Sequence, residues 1–444
     1  MKNLSLKFLS QMKKILGDDY SKFLDCFEKN PVKALRINSL LVENMDEFVK
    51  NFPFETEKLN FLDNGFKLTK KHDGIGRQVS HHAGAFYVQD PSAMVAVCAL
   101  DPKPGEKVLD LCAAPGGKST QIAERLKGNG LLFSNEINKS RANILISNLE
   151  RMGVKNAVVF SKRPSELCNE YCEYFDKVLV DAPCSGEGMF RKNSNAVLNW
   201  SPENSKGCAL RQKEILNSAA LALKPGGILV YSTCTFSTIE NEEIIKWFLK
   251  SRDDFELEPV EVGFGEGSPF SDIIPNAFYT KRIYPFHGGE GQFIAKLKKS
   301  GNFSAKINKF SNISKIDCFS KFWDQTFDEP VPDVAVFGDR VMVVPSDMPN
   351  VKNAIVAGIF AGRLKNNRFV PNHHLFKCDI KIKNHKLLNL SFSDSKALDF
   401  IAGKEISFDS RGYCGVRVEG IPLGFGKASC KKLKNHYPKG LRQT

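Results

Sequence analysis

Two cysteines in this 444-residue chain sit where chemistry is a better explanation than packing. Cys184 belongs to Asp181-Ala182-Pro183-Cys184-Ser185-Gly186, and Cys234 ends Ser232-Thr233-Cys234. Each follows a short apolar run, DKVLVD (176–181) and ILVYS (228–232), that reads as a buried strand. Both thiols are therefore expected at the C-terminal edge of one sheet. A single cysteine is more often a small buried hydrophobe. Two that converge on one edge, with Asp181 and Lys118 beside them, point instead to thiol catalysis. C5 of cytosine is a poor nucleophile, and a thiolate added at C6 makes it electron-rich enough to take a methyl group from a sulfonium donor. That is covalent catalysis, one hard step split into easier ones. Lys118 is a candidate cation to favour the thiolate. Asp181 is a candidate to hydrogen-bond the N3/N4 edge of the base.

A second constellation supplies the donor site. Asp110-Leu111-Cys112-Ala113-Ala114-Pro115-Gly116-Gly117-Lys118 joins a strand to a helix. It is not the GxGxxG pattern of dinucleotide sites. Its small residues are expected to let backbone approach a ligand, and the helix start offers free N–H groups. Glu136 ends the next strand, where a carboxylate can accept hydrogen bonds from ribose hydroxyls. A nucleoside cofactor held by Cys112 through Lys118, Glu136 and Asp181 is the expectation.

The elements that must position these residues form a regular series. Strands are expected at 108–111, 131–134, 157–160, 176–181, 228–232 and 292–297. Helices are expected at 119–126, 141–152, 212–223 and 240–249. Such alternation implies a parallel doubly wound sheet with ligands at the strand C-terminal ends. Before it, residues 1–90 read as a small α/β domain whose first helices place Leu6, Leu9, Met12, Leu16, Tyr20, Phe23, Leu24 and Phe27 at helical spacing. The sheet domain spans 91–298, and the Ser/Asn/Lys-rich stretch 299–315 reads as a linker. Residues 316–444 hold short strand-like runs between glycines, a β-rich region divisible into two modules near 378.

Charge divides the chain unevenly. Residues 351–444 hold 18 Lys/Arg against 6 Asp/Glu, whereas residues 1–350 are balanced at 45 against 44. Lys427, Lys431, Lys432, Lys434, Lys439 and Arg442 fall in a stretch without an acid. This is an expected footprint for a polyanion such as RNA. Phe425 and Tyr437 lie among these lysines; stacking on bases is one reading, and packing in a small β-barrel is the preferred one. The 12 cysteines, with no paired CxxC motifs and no export signal, are expected to be reduced and to bind no metal. Cytoplasmic location, no membrane association and a monomeric state are the corresponding expectations.

At the residues VLDLCAAPGGKSTQIA (108–123), SNEI (134–137), DKVLVDAPCSGEGMFRK (176–192), Trp200 and LKPGGILVYSTCTFSTIENEE (223–243), the chain resembles the NOL1/NOP2/Sun group of RNA 5-methylcytosine methyltransferases. YVQDPSAM (87–94) adds to the likeness, which covers about residues 30–298. The resemblance implies a Rossmann-like class I methyltransferase sheet and S-adenosyl-L-methionine as cofactor. It implies Cys234 as nucleophile and Cys184 as the residue assisting product release. GRLKNNRFVPNHHL (362–375) and GIPLGFGKASCKKLKNHYPKGLR (420–442) look like the PUA-like extension of the bacterial RsmF-type branch, which implies small-subunit ribosomal RNA as substrate. Two positions depart from the pattern. Ser161-Lys162-Arg163 follows the third strand where an Asp or Asn often meets adenine, and Gln292 stands where a histidine is common. Rival readings are a transfer-RNA cytosine methyltransferase, an exocyclic-nitrogen methyltransferase, and an inactive RNA-binding assembly factor. The paired cysteines argue against the last two.

Overall fold

The computed structural model describes residues 4–70, 73–301, 313–345 and 347–443. Most of the expected linker, residues 302–312, lies outside the described residues.

The central sheet is built from β5 (Lys107–Asp110), β6 (Leu131–Asn135), β7 (Ala157–Phe160), β8 (Phe175–Asp181) and β9 (Leu223–Thr233), all parallel, with β13 (Gln292–Lys299) antiparallel to β9. Its order is β11-β12-β13-β9-β8-β5-β6-β7-β16, where β11 is Glu266–Gly267, β12 is Lys281–Ile283 and β16 is Val356–Ala357; β10 (Phe255–Glu258) also pairs with β13. The order reverses between β5 and β8, so the ends of these two strands frame the crevice where open α/β sheets bind ligands. Alternate residues serve opposite faces, as strand geometry requires. Leu109, Phe133, Val158 and Val180 face one apolar layer, and Val108, Leu132, Val159 and Leu179 the other. The LKPGG segment, expected to end a helix and turn, is the start of β9: the helix Pro202–Ala222 runs straight into it, and Leu223 already pairs with Phe175.

The first ninety residues do not close around one core. β1 (Ala34–Ile37), β2 (Thr56–Lys58), β3 (Gly65–Leu68) and β4 (Phe86–Gln89) form a sheet ordered β2-β3-β1-β4. The helices Leu6–Leu16 and Tyr20–Asp25 leave that sheet and bury Phe8, Met12 and Phe23 against Phe190, Trp200 and Phe236 of the central domain. The helix Pro91–Leu100, capped by Asp90 and begun by Pro91, is apolar on nearly all sides, as a helix enclosed by neighbours must be.

Two further sheets follow. β14 (Val334–Phe337), β15 (Arg340–Val343), β17 (Ile359–Lys365) and β18 (Arg368–Pro371) are antiparallel neighbours in that order. β19 (Leu387–Leu390), β21 (Gly412–Val418), β22 (Ile421–Ser429), β23 (Lys432–Asn435) and β20 (Ile406–Ser407) form the second. β16, between β15 and β17 in the chain, pairs with β7 and so extends the central sheet with a strand from the C-terminal region.

Candidate active site

The two thiols meet. Cys184 Sγ and Cys234 Sγ lie 3.3 Å apart, both free and half-buried. The loops that carry them are sewn together by buried hydrogen bonds. Gly188 N donates to Cys234 O at 2.8 Å, and the Ser185 and Thr235 hydroxyls are 2.9 Å apart. Glu187, 1% exposed, accepts from Phe236 N at 2.8 Å, from Trp200 Nε1 at 2.9 Å and from Gln11 Nε2 at 2.8 Å. Glu240 accepts from Ser185 N at 2.9 Å and Ser185 Oγ at 2.5 Å. These carboxylates went unnoticed in the sequence reading. Their signal was acid within otherwise small or apolar motif segments, at positions that strand ends bury.

Beside the thiols, Lys118 Nζ donates to Asp181 Oδ2 at 2.7 Å. Asp181 Oδ1 accepts from Ser232 Oγ at 2.8 Å and from Gln292 Nε2 at 3.2 Å. Gln292, doubtful from sequence, thus helps hold Asp181. Burial opposes the charge on Lys118, but Asp181 and then Cys234 outweigh it and hold the ammonium above the ordinary lysine value. Cys184 is pushed well up by its contact with Cys234, by burial and by the negative charges of Cys234 and Glu240. Cys112 is also pushed well up, by burial first and then by Asp110, Asp181 and Glu136, so it stays a neutral thiol at the rim.

The loop 111–116 packs differently from expectation. Gly116 has φ +115°, and a Cβ there would stand 3.2 Å from Leu145 Cδ1. A Cβ on Gly117 would stand 3.3 Å from both Gln89 Nε2 and Tyr87 Cε1. At these two positions smallness also serves packing against the helix Lys139–Arg151 and β4. Ala114 O and Pro115 O are taken by Arg141 and Asn148 of that helix, while Ala113 N donates to Asn135 O.

What the crevice offers fits a nucleoside carrying a cation. Asp110 is fully buried; Ser119 Oγ donates to Oδ2 at 2.7 Å, and Oδ1 has no hydrogen-bond partner among the described residues. Burial, opposed by Ser119 and helped by the Asp181 charge, raises its carboxyl to about 7. An acceptor stranded in this way wants a donor, and a cationic one would also ionise it. Glu136, 4% exposed at the end of β6, accepts from Asn138 N at 2.9 Å and meets Arg141 at 3.2 Å, leaving lone pairs for hydroxyls. Next to it Ile137 is 61% exposed, an apolar surface for a base that the sequence reading missed. Ser161, at the departure from the family pattern, donates to Ile137 O at 3.2 Å and so braces that surface.

The basic residues lie on and beside the β22–β23 hairpin. Lys427, Lys431, Lys432, Lys434 and Lys439 are exposed. Lys427 pairs across the strands with Lys434, and its ammonium lies 5.3 Å from the Tyr413 ring centre. Arg442 is spent on structure: its guanidinium donates to Tyr437 O at 3.2 and 3.3 Å. Phe425 and Tyr437 are each 3% exposed, Phe425 stacked on Phe376 and Tyr437 OH 2.8 Å from His82 Nδ1; they are core residues.

A parallel sheet reversing between β5 and β8, with carboxylates at the ends of β5, β6 and β8, defines a Rossmann-like methyltransferase fold. Residues 97–298 match the family model described as 16S rRNA methyltransferase RsmB/F, residues 4–91 the N-terminal domain of 16S rRNA methyltransferase RsmF, and residues 387–443 the methyltransferase RsmF PUA domain. The chain belongs to the RsmB/F methyltransferase family. Among curated relatives, ribosomal RNA small subunit methyltransferase F of Salmonella heidelberg is 34% identical over 311 residues, covering 67% of this chain and 64% of the relative. The match thus spans a little under two thirds of the relative's length. A solved methyltransferase homolog from Pyrococcus horikoshii is 31% identical, covers 67% of this chain and 96% of its own, and superimposes with a TM-score of 0.60. NSun6 from the same organism, at 21% identity and TM-score 0.59, shares the fold over 68% of this chain and 100% of its own.

Proposed function

We propose that this protein transfers a methyl group to C5 of a cytosine in small-subunit ribosomal RNA. The observation that carries the reading is the 3.3 Å thiol pair beside the Lys118–Asp181 ion pair. Asp110, the loop 112–118, Glu136 and Ile137 would hold S-adenosylmethionine, which would supply an electrophilic methyl group and leave as S-adenosylhomocysteine. Cys234, near the Lys118 charge, adds as thiolate to C6 of the base. The C5=C6 electron pair moves to C5, where the methyl group is received. Asp181, fixed by Ser232, Gln292 and Lys118, orients the N3/N4 edge of the base and stabilises the altered ring charge. The C5 proton then leaves to water, C5=C6 re-forms and the C6–S bond breaks. The departing Cys234 sulfur receives a hydrogen bond from the Cys184 thiol, which its surroundings keep protonated.

Ribosomal RNA as substrate is supported by the name borne by the Salmonella relative and by the match to an RsmF PUA domain. The exposed lysines of β22 and β23 give phosphate-sized charge without acids, and five of the six basic residues predicted from sequence keep that role in the proposal.

The test is methyl transfer from labelled S-adenosylmethionine to small ribosomal subunits and to transfer RNA from cells lacking the protein, with nucleoside analysis. 5-Methylcytidine in the small-subunit RNA is the expected product of the wild type. Cys234→Ala gives none, and Cys184→Ala accumulates a protein–RNA adduct. Methylation of transfer RNA alone would replace the substrate, and a different methylated nucleoside would overturn the mechanism.

A further inference from the structure

The loops that carry the two thiols are tied together by one buried carboxylate. Glu240 lies in the turn between Cys234 and the helix Glu242–Ser251, fully buried. Its side chain reaches back to the other loop and accepts from the backbone N–H and hydroxyl of Ser185, the residue after Cys184. Gln212 Nε2, from the helix Pro202–Ala222, is a third donor at 3.1 Å. All three donors are neutral, so the carboxylate is oriented without its charge being cancelled. Its own backbone is pinned as well, since Tyr231 OH donates to Glu240 O at 2.7 Å.

We infer that Glu240 is a positioning residue for the thiol pair: it locks the Cys184 loop onto the Cys234 loop and places Cys184 beside a negative charge while Cys234 keeps Lys118. The inference rests on the two-thiol reading of the site. The groups packed around Cys184 agree with it. Tyr231 from β9 and Cys208 from the helix Pro202–Ala222 are both raised by burial and stay neutral. Glu187 is engaged by Phe236 N, Trp200 Nε1 and Gln11 Nε2, and Asp181 is already paired with Lys118. Burial raises Glu240 itself, and the two Ser185 donors oppose the rise. With negative charge on its side, Cys184 holds its proton and can donate to the other sulfur. The division of labour between two chemically identical side chains then comes from their neighbours.

The decisive measurement needs neither RNA nor cofactor. In the full chain carrying Cys234→Ser, the alkylation of Cys184 by iodoacetamide is followed against pH by site-resolved mass spectrometry. Glu240→Gln is expected to move the midpoint down by roughly one pH unit, the low end of what a neighbouring like charge imposes, while Glu240→Asp leaves it in place. A well-folded Glu240→Gln chain with an unchanged midpoint overturns the inference. Ser185→Ala provides a second arm that keeps the charge and weakens the lock. In the chain with both cysteines, bridging of Cys184 to Cys234 by dibromobimane should slow several-fold, and an unchanged bridging rate would count equally against the positioning role. Failure of wild-type methyl transfer, with these thiol measurements as expected, would instead remove the proposed reaction and leave the positioning intact.

Discussion

Asp110 is a residue whose ionisation the fold opposes and the proposed ligand would favour. The folded chain keeps its proton up to about pH 7, whereas an unfolded carboxyl releases it near 3.8. Between those values the folded state binds more protons, so the stability this group contributes is present at low pH and is lost as pH rises towards 7. Asp110→Asn removes the titration. Relative to wild type, the variant should gain stability between pH 5 and pH 8, on the order of 2 kcal/mol, in urea melts without cofactor. A constant difference across that range would show that Asp110 ionises freely. The same substitution should weaken S-adenosylmethionine binding, since it removes the anion that a cationic ligand would pair with. Lys118 makes a different case, because its charge is spent on Asp181 and Cys234 together. Lys118→Met should reduce the methylation rate by about 10²-fold, the scale of a lost electrostatic partner in a buried site, with little change in RNA affinity in a filter-binding assay.

The strands, their parallel pairing and the edge they share were legible from apolar runs punctuated by Asp110, Glu136 and Asp181. Periodicity reports burial, and these strands are buried on both faces. What it did not report was the connection between elements. Leu6, Leu9 and Met12 read as the face of a helix, but nothing in their spacing said that Leu6 would be exposed and that Phe8 would be buried with Met12, packed 4.8 Å from Phe190 and 5.5 Å from Trp200. The N-terminal helix therefore acts as a brace under the Cys184 loop, tied by Gln11 to Glu187. Glu187→Ala would leave the Trp200 indole, the Phe236 amide and the Gln11 amide without their acceptor. The expected loss is about 3 kcal/mol, from buried donors left unsatisfied, read from denaturant melts. Gln11→Leu removes only one donor and should cost about 1 kcal/mol. If the two variants were equally stable, the Glu187 network would not be holding the loop.

At the scale of the molecule, the C-terminal region is part of the protein's framework as well as its electrostatic surface. Leu35, Ile37 and Phe86 of the N-terminal sheet share one apolar core with Phe400, Val416, Leu423 and Tyr437. Lys377, fully buried, donates to the carbonyls of His82 and Ala83 on one side and Pro422 on the other. β16 covers the β7 edge of the central sheet, an edge that would otherwise present unpaired backbone. Removing residues 351–444 would therefore strip a strand from the central sheet and open the N-terminal core, and weakened RNA binding by such a fragment would say little about the basic surface. Charge reversal asks the question cleanly. Lys427 and Lys434 are cross-strand neighbours with exposed side chains, and among the described residues no hydrogen bond holding the hairpin together passes through either one's ammonium. Lys427→Glu with Lys434→Glu should leave the melting temperature within a few degrees and lower the affinity for small-subunit RNA. Each lost phosphate contact reduces the slope of log affinity against log salt by about 1, so the double variant should show a slope shallower by about 2. The rate at saturating RNA should be unchanged, because the thiol pair lies in another part of the fold. Loss of affinity without a change in slope would mean that these lysines act through shape or folding, and an unchanged affinity would move the RNA-binding surface elsewhere on the molecule.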